Sequence, residues 1–259
     1  MPDAPFSSTL LERLASARRV AVLTGAGISA ESGIPTFRDP DGLWQRFRPE
    51  ELASVEAFLA NPVLVQGWYR HRRDVAERAR PNAGHEALAA LERLVEALPG
   101  GHFLLATQNV DGLHRRAGTR RLAELHGSIL DARCLACAAP APEQLLAAAG
   151  DGAPVRCARC GGLLRPGVVW FGEMLPEDTF AEAQEAAALC DVFLSVGTSG
   201  AVYPAAGLPL LARQAGAYVA EINPVRSDIA HHLHETVLGR AGEVLPALVA
   251  ALEARRAAA

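Results

Sequence analysis

Four of the five cysteines stand in two pairs, Cys134-Leu-Ala-Cys137 and Cys157-Ala-Arg-Cys160, with nineteen residues between the pairs. Each Cys-x-x-Cys turn brings two sulfurs within reach of one ion, and two such turns complete a tetrahedron. The pattern reads as a closed tetrathiolate Zn2+ site, one per chain, with a structural role. A redox pair or a chance spacing is the competing reading. Cys190 ends the apolar run 180–189 and reads as a small buried hydrophobe rather than a reactive thiol.

A second chemical signature is Gly25-Ala26-Gly27-Ile28-Ser29-Ala30, directly after the apolar run 19–24. Strand, Gly-x-Gly-x-x-Ala, then helix start is the layout of a dinucleotide-binding turn. Gly25 would permit the tight turn, Gly27 would let a pyrophosphate approach the backbone, and Ala30 would permit close helix–strand packing. The helix N-terminus would then face phosphate. Alone, such a fingerprint is weak. It also departs from the usual unit, because residues 34–44 are a turn-rich polar and aromatic stretch where a second strand belongs. Neither Asp39 nor Asp41 sits at the end of a plausible strand, so a nucleotide here would sit differently from a dehydrogenase cofactor.

These groups need elements to position them. Further apolar strands are expected at 102–106, 191–196 and 217–222, and amphipathic helices at 9–17, 84–97, 176–189, 204–214 and 243–255. Their alternation implies an α/β fold, a Rossmann-like parallel sheet with helices on both faces. Two segments break the rhythm and are expected to form a smaller inserted lobe: 34–80, read as loop plus short helices, and 129–164, the cysteine module. The expected division is a nucleotide-binding domain of residues 1–33, 81–128 and 165–259, a cofactor loop and helical module of 34–80, and a zinc module of 129–164. The expected strands end in Thr24-Gly25, Thr107-Gln108-Asn109-Val110-Asp111, Gly197-Thr198-Ser199 and Glu221-Ile222-Asn223-Pro224. One polar strand end is ordinary loop composition; four on one edge suggest a site. His126, taken alone, reads as a solvated or satisfied core histidine, and His231, His232 and His234 as a solvated face or helix end.

Composition bounds the rest. The 259 residues are 50% hydrophobic, 21% charged and 5% aromatic, which excludes an intrinsically disordered chain. A formal charge of −4 and a pI of about 6.1 exclude a bulk cationic field for nucleic acid or an anionic membrane. No window approaches the roughly 18–20 apolar residues of a bilayer span. Residues 1–6 lack a basic n-region and an apolar h-region, so a cytoplasmic protein is expected. All 25 basic residues are arginine. Schiff-base and P-loop lysine chemistry are therefore excluded, and no lysine side chain is available for acylation.

Taken together, the motifs resemble the sirtuin family. They are 25–44 (Gly-Ala-Gly-Ile-Ser-Ala-Glu-Ser-Gly-Ile-Pro-Thr-Phe-Arg-Asp-Pro-Asp-Gly-Leu-Trp), 107–114 (Thr-Gln-Asn-Val-Asp-Gly-Leu-His), Leu125-His126-Gly127, Val168-Val-Trp-Phe-Gly-Glu173, Gly197-Thr-Ser199 and the two cysteine pairs. The resemblance implies NAD-dependent removal of acyl groups from protein lysines, with release of nicotinamide and O-acyl-ADP-ribose. It implies that NAD is held by Gly25, Ala26, Gly27, Ile28, Ala30, Thr36, Phe37, Arg38, Trp44, Gln108, Asn109, Val110, Asp111, Gly197, Thr198, Ser199, Asn223, Pro224, Val225 and Ala241. Asn109 and Asp111 would line the nicotinamide pocket. The acyl oxygen would attack the ribose carbon that bears nicotinamide, and His126 would be the general base that activates a ribose hydroxyl. Val168, Val169, Trp170, Phe171, Gly172 and Glu173 resemble the segment that pairs with an extended acyl-lysine peptide. On the apolar pattern alone, an ordinary buried strand fits them as well. No nucleic-acid or membrane partner is expected, and a monomer is.

Tyr69 and Arg72 lie three apart, so on a helix they share a face, and a guanidinium with a phenol suits a carboxylate at the end of an acyl chain. The competing reading is a solvated basic helix face. Tyr-x-x-Arg, with Ala53 sixteen positions before the tyrosine, resembles the sirtuin subgroup that removes succinyl, malonyl and glutaryl groups. The alternatives are a deacetylase-dominant sirtuin, a mono-ADP-ribosyltransferase and, outside catalysis, an NAD-sensing interaction module.

Overall fold

The computed structural model describes residues 4–35, 52–142 and 152–258. Six strands form one parallel sheet: β1 (Arg19–Thr24), β2 (His102–Thr107), β3 (Leu122–Glu124), β6 (Val192–Val196), β7 (Tyr218–Asn223) and β8 (Glu235–Leu238), in the order β3-β2-β1-β6-β7-β8. Register runs straight across the middle, with Thr24 opposite both Thr107 and Val196. β6 is buried at every residue, and β1, β2 and β7 at all but the first. That burial is what near-continuous apolar runs give in a sheet covered on both faces.

One face is covered by α1 (Ser8–Ser16), α5 (Ala83–Glu96) and α9 (Ala241–Ala257), whose Leu10, Leu14, Leu88, Leu91, Leu245 and Leu248 pack on Val20, Val22 and Leu105. The other is covered by α7 (Glu177–Leu189) and α8 (Leu208–Gln214), through Ala183, Ala187, Leu208 and Ala212 against Leu23, Phe193 and Val219. The sequence expectation of one helix over 204–214 gives way to a 3-10 turn at Ala205–Gly207 followed by α8. From β1 the chain moves outward to β2 and β3, then returns to β6 on the other side of β1. The crossover direction therefore reverses between β1 and β6, and ligands of open α/β sheets bind at the carboxyl ends of the strands flanking such a point.

The smaller lobe joins helices α3 (Val55–Ala60) and α4 (Pro62–Arg78) to an antiparallel pair, β4 (Gly127–Cys134) and β5 (Leu164–Val168). Short helices were expected within 34–80, but α4 is 17 residues long. Asn61 caps it through Oδ1 to Leu64 N, and Pro62 opens it without losing a needed donor. Its inward face carries Gln66 and Arg73 besides Val65, Tyr69 and Ala76, so polar residues at core positions blur its apolar period. Leu52, Ala53, Phe58, Val65, Tyr69, Ile129, Val168 and Trp170 share one core. The boundary expected at residue 165 thus falls inside a sheet: β5 and Trp170 pack with the smaller lobe.

Candidate active site

At the switch point three glycines meet. A Cβ on Gly25 would lie 2.9 Å from Gly197 O, and one on Gly27 would lie 2.7 Å from the same oxygen. Gly197 has φ +59°, and its own Cβ would lie 2.4 Å from Ile28 N. Gly27 N also donates to Gly197 O at 2.8 Å. The Gly197 loop thus packs closely on Gly27, a contact that itself requires glycine at both positions. Ala30 is exposed, and the packing expected of it falls to Ile28 and Ser29 on the one-turn helix α2 (Ala26–Ala30).

The strand ends converge on a hydrogen-bonded cluster. Asn109 Nδ2 donates to Gly25 O (3.0 Å) and to Ser29 Oγ (3.1 Å), and Ser29 Oγ donates to Asp111 Oδ2 (2.8 Å). Asp111 Oδ1 accepts from Leu113 N at the start of α6 (Leu113–Arg116). Burial raises the Asp111 pKa above the ordinary carboxylate value, against the lowering effect of these two bonds and of Arg116 and Arg72. Beneath lie two buried imidazoles, His85 and His114, with ring centres 4.8 Å apart. His85 accepts from Asn82 N and stands 3.5 Å from Ser29 Oγ, while His114 Nε2 meets Thr24 Oγ1 at 2.9 Å. Burial lowers both, His85 to about 4 and His114 well below the ordinary value with His85 adding to the effect.

Across β6 and β7 the set continues. Gln108 Nε2 donates to Thr198 Oγ1, Asn223 Nδ2 to Thr198 O, and Asp228 N to Ser199 O. Pro224 and Val225 are exposed, and Ala241 is buried at the first turn of α9. Thr36, Phe37, Arg38 and Trp44 lie outside the described residues. This donor set fits a dinucleotide: amides, hydroxyls and a carboxylate suit riboses and a carboxamide.

His126 stands between β3 and β4, where the large sheet hands over to the small one. It is half-buried, its Nδ1 lies 2.9 Å from Gln108 O, and its own carbonyl accepts from Val169 N at 2.9 Å. A carbonyl can only accept, so Nδ1 carries the proton and Nε2 keeps its lone pair. Burial lowers the His126 pKa, and the Gln108 bond opposes that. The Val110 carbonyl accepts from Ile129 N, which ties the Asn109–Asp111 turn to β4.

In the smaller lobe, Trp170 Nε1 donates to Tyr69 Oη at 2.8 Å, and the Arg72 guanidinium carbon lies 4.7 Å from the Trp68 ring centre and 5.9 Å from that of Tyr69. Burial lowers the Arg72 pKa, while Tyr69 and Asp111 favour its charged form. Ala53 is buried, and its carbonyl accepts from Phe171 N at 2.9 Å. Within 168–173 the outward residues are Phe171 and Gly172. Trp170 points inward, and Glu173 is engaged by both Arg165 and Trp170 N. The four sulfurs of Cys134, Cys137, Cys157 and Cys160 all lie within 4.8 Å of one another, with Cys134–Cys160 at 3.5 Å and Cys137–Cys157 at 3.9 Å. A tetrahedron with Zn–S of about 2.3 Å has edges of about 3.8 Å, so the cluster fits one structural zinc.

The sequence pattern of the Sir2 family matches residues 25–204. The chain belongs to the Sir2 family. It is 52% identical over 242 residues to the NAD-dependent protein deacylase 2 of Pyrobaculum aerophilum, covering 93% of this chain and 94% of that one. A solved Sir2 homologue–NAD complex superposes with a TM-score of 0.89 at 44% identity, over 98% of this chain and 96% of that chain. A Sir2–p53 peptide–NAD+ structure superposes with a TM-score of 0.82 at 30% identity, over 92% and 95%. NAD is the co-substrate of the family, and zinc its structural ion here.

In this sirtuin, three site residues escaped the sequence reading: Ser29, His85 and His114. His85 could have been found, since it lies on the inward face of an expected helix with Leu88 and Glu92 and three residues after a capping Asn82. Ser29 and His114 stand inside the motifs 25–44 and 107–114 that carry the resemblance, but neither is given a role of its own there.

Proposed function

We propose that this NAD-dependent protein deacylase acts on lysines bearing short acidic acyl groups, succinyl and malonyl, and also on acetyl-lysine, in extended protein segments. The observation that carries the acidic preference is the Arg72 guanidinium lying against the rings of Trp68 and Tyr69, the latter 5% exposed, beside the smaller lobe's core. A guanidinium and a phenol set side by side present the two kinds of donor that suit a carboxylate.

When bound, NAD supplies an electrophilic ribose carbon and a cationic leaving group. The chain positions and exchanges protons around it. Asn109 and Asp111 hold the nicotinamide end, with Ser29 fixing both. Thr198, Ser199, Asn223 and Gln108 hold the remainder, together with Arg38. His126, proton on Nδ1, takes the proton of a ribose hydroxyl at Nε2. The peptide backbone runs beside Phe171 and Gly172. The four cysteines hold zinc and take no part in the reaction.

Two variants test this. His126→Ala lowers kcat by about 10²–10⁴-fold for every acyl group, and the wild-type kcat/KM profile has its acid limb below pH 6.5. The sign follows from burial: a lowered pKa keeps the ring neutral, and therefore a base, to lower pH. Arg72→Met loses about 10–150-fold in desuccinylation relative to deacetylation, the worth of one charged hydrogen-bonded pair. Mass spectrometry of O-acyl-ADP-ribose reads both. Equal loss on succinyl and acetyl peptides would refute the acidic-acyl reading.

A further inference from the structure

We infer that Trp170 is a positioning residue for acyl selectivity, because its indole fixes the direction in which the Tyr69 phenol donates; this rests on the acidic-acyl reading above. An indole N–H can only donate, so at 2.8 Å from Trp170 Nε1 the Tyr69 oxygen must accept. Among the described residues this is the one hydrogen bond of Tyr69 Oη. The phenol proton is thereby turned away from the indole. A carboxylate has only acceptor atoms, and a phenol already accepting on one side offers it a polarised donor on the other. An acetyl methyl gains nothing from that arrangement.

The indole cannot turn to release the phenol. The Arg165 guanidinium carbon lies 3.6 Å from the centre of the Trp170 ring, and Phe58 packs at 5.1 Å between ring centres. Arg165 is itself held by Val168 O at 2.8 Å and by the Glu173 carboxylate, which also accepts from Trp170 N. Glu173 thus clamps the residue that orients Tyr69. Burial pushes the Tyr69 pKa up to about 12, so the phenol keeps its proton at any pH at which the enzyme works.

The test compares kcat and KM for succinyl- and acetyl-lysine versions of one peptide in the wild type, Trp170→Phe, Tyr69→Phe and the double variant. Trp170→Phe keeps an aromatic ring to stack on Arg165 and removes the indole donor together with part of the bicycle's volume, which is why the succinyl-to-acetyl ratio rather than the rate alone is read. The succinyl-to-acetyl ratio of kcat/KM should fall about tenfold in Trp170→Phe, through KM for the succinyl peptide. The double variant should fall no further than Tyr69→Phe. Equal losses on both peptides, or additive losses in the double variant, would overturn the inference. A readout independent of activity is the 15N-indole resonance of Trp170, the one of three that persists in both Trp44→Phe and Trp68→Phe. It should be protected from exchange in the wild type and shift in Tyr69→Phe, and an unmoved resonance would overturn the inference even if Trp170→Phe did not fold. If Arg72→Met leaves the ratio unchanged, the acidic-acyl reading fails first. If Arg72→Met lowers it and Trp170→Phe does not, that reading stands and this inference falls.

Discussion

At the carboxyl edge of the large sheet, Asn109, Asp111 and Ser29 are hydrogen-bonded to one another and to Gly25 O and Leu113 N, just beyond strands paired in unbroken register. In the smaller lobe, Tyr69 and Trp170 come from stretches 101 residues apart and meet through one hydrogen bond and a shared core, beside the Arg165–Glu173 ion pair and in the same lobe as a zinc-fitting cysteine cluster. The first region is organised by its own secondary structure, and its chemistry is mostly neutral. The second has little regular pairing, since β4 and β5 are its one named sheet among the described residues, and relies on ions held inside. A site assembled from both lets the cofactor end stay fixed while the acyl end is tuned by few residues.

Metal removal should separate the two most sharply. Structural zinc contributes on the order of 10 kcal/mol of folding free energy in small modules. Chelation should therefore abolish peptide deacylation and raise amide exchange in 127–134 and 155–168, while β1, β2 and β6 stay protected. A single cooperative collapse of both regions would show that the large sheet depends on the metal as well.

Acid should do the opposite and strike the large lobe. His85 drops from an ordinary value of 6.5 to about 4 because burial penalises its charged form. The unfolded chain then binds a proton that the folded chain refuses. Stability is intact above pH 6.5 and falls as pH drops from 6.5 towards 4, by roughly 3 kcal/mol in all. His114 shifts in the same direction. Urea denaturation at pH 7 and pH 5 should show a smaller pH difference for His85→Gln than for the wild type. An identical difference would mean that His85 is charged in the folded protein.

The same contrast governs what could be read from the sequence. The central strands were legible because a parallel sheet buried on both faces demands apolar runs, and the runs at 191–196 and 217–222 have no other use. β3 and β8 were not, at three and four residues with only one buried position each. The cysteine pairs announced their cluster because sulfur spacing is a local property. Helix α4 was misread because Gln66 and Arg73 occupy core positions, and their partners, Val155 and Leu164 for Gln66 and Leu130 for Arg73, lie far along the chain. Likewise Gly27 meets the Gly197 loop, and the packing expected of Ala30 falls to Ile28 and Ser29. A motif fixes which residues meet, but the contact that explains each one is non-local.

Gln66 offers the finest division, because it joins the helical part of the small lobe to its metal-binding part. Its Nε2 donates to Val155 O at 3.1 Å and Leu164 O at 2.7 Å, and its Oε1 accepts from Val155 N at 2.8 Å. Gln66→Leu keeps the volume and leaves a buried N–H and two carbonyls without that partner, at a cost of about 2 kcal/mol. The loss should be confined to the small lobe. Zinc release to a competing chelator should quicken and exchange at the Val155 amide should rise, while the pH dependence set by His85 stays as in the wild type. If exchange rises equally in β1 and β6, the two regions unfold as one unit, and the separation drawn from their bonding would be wrong.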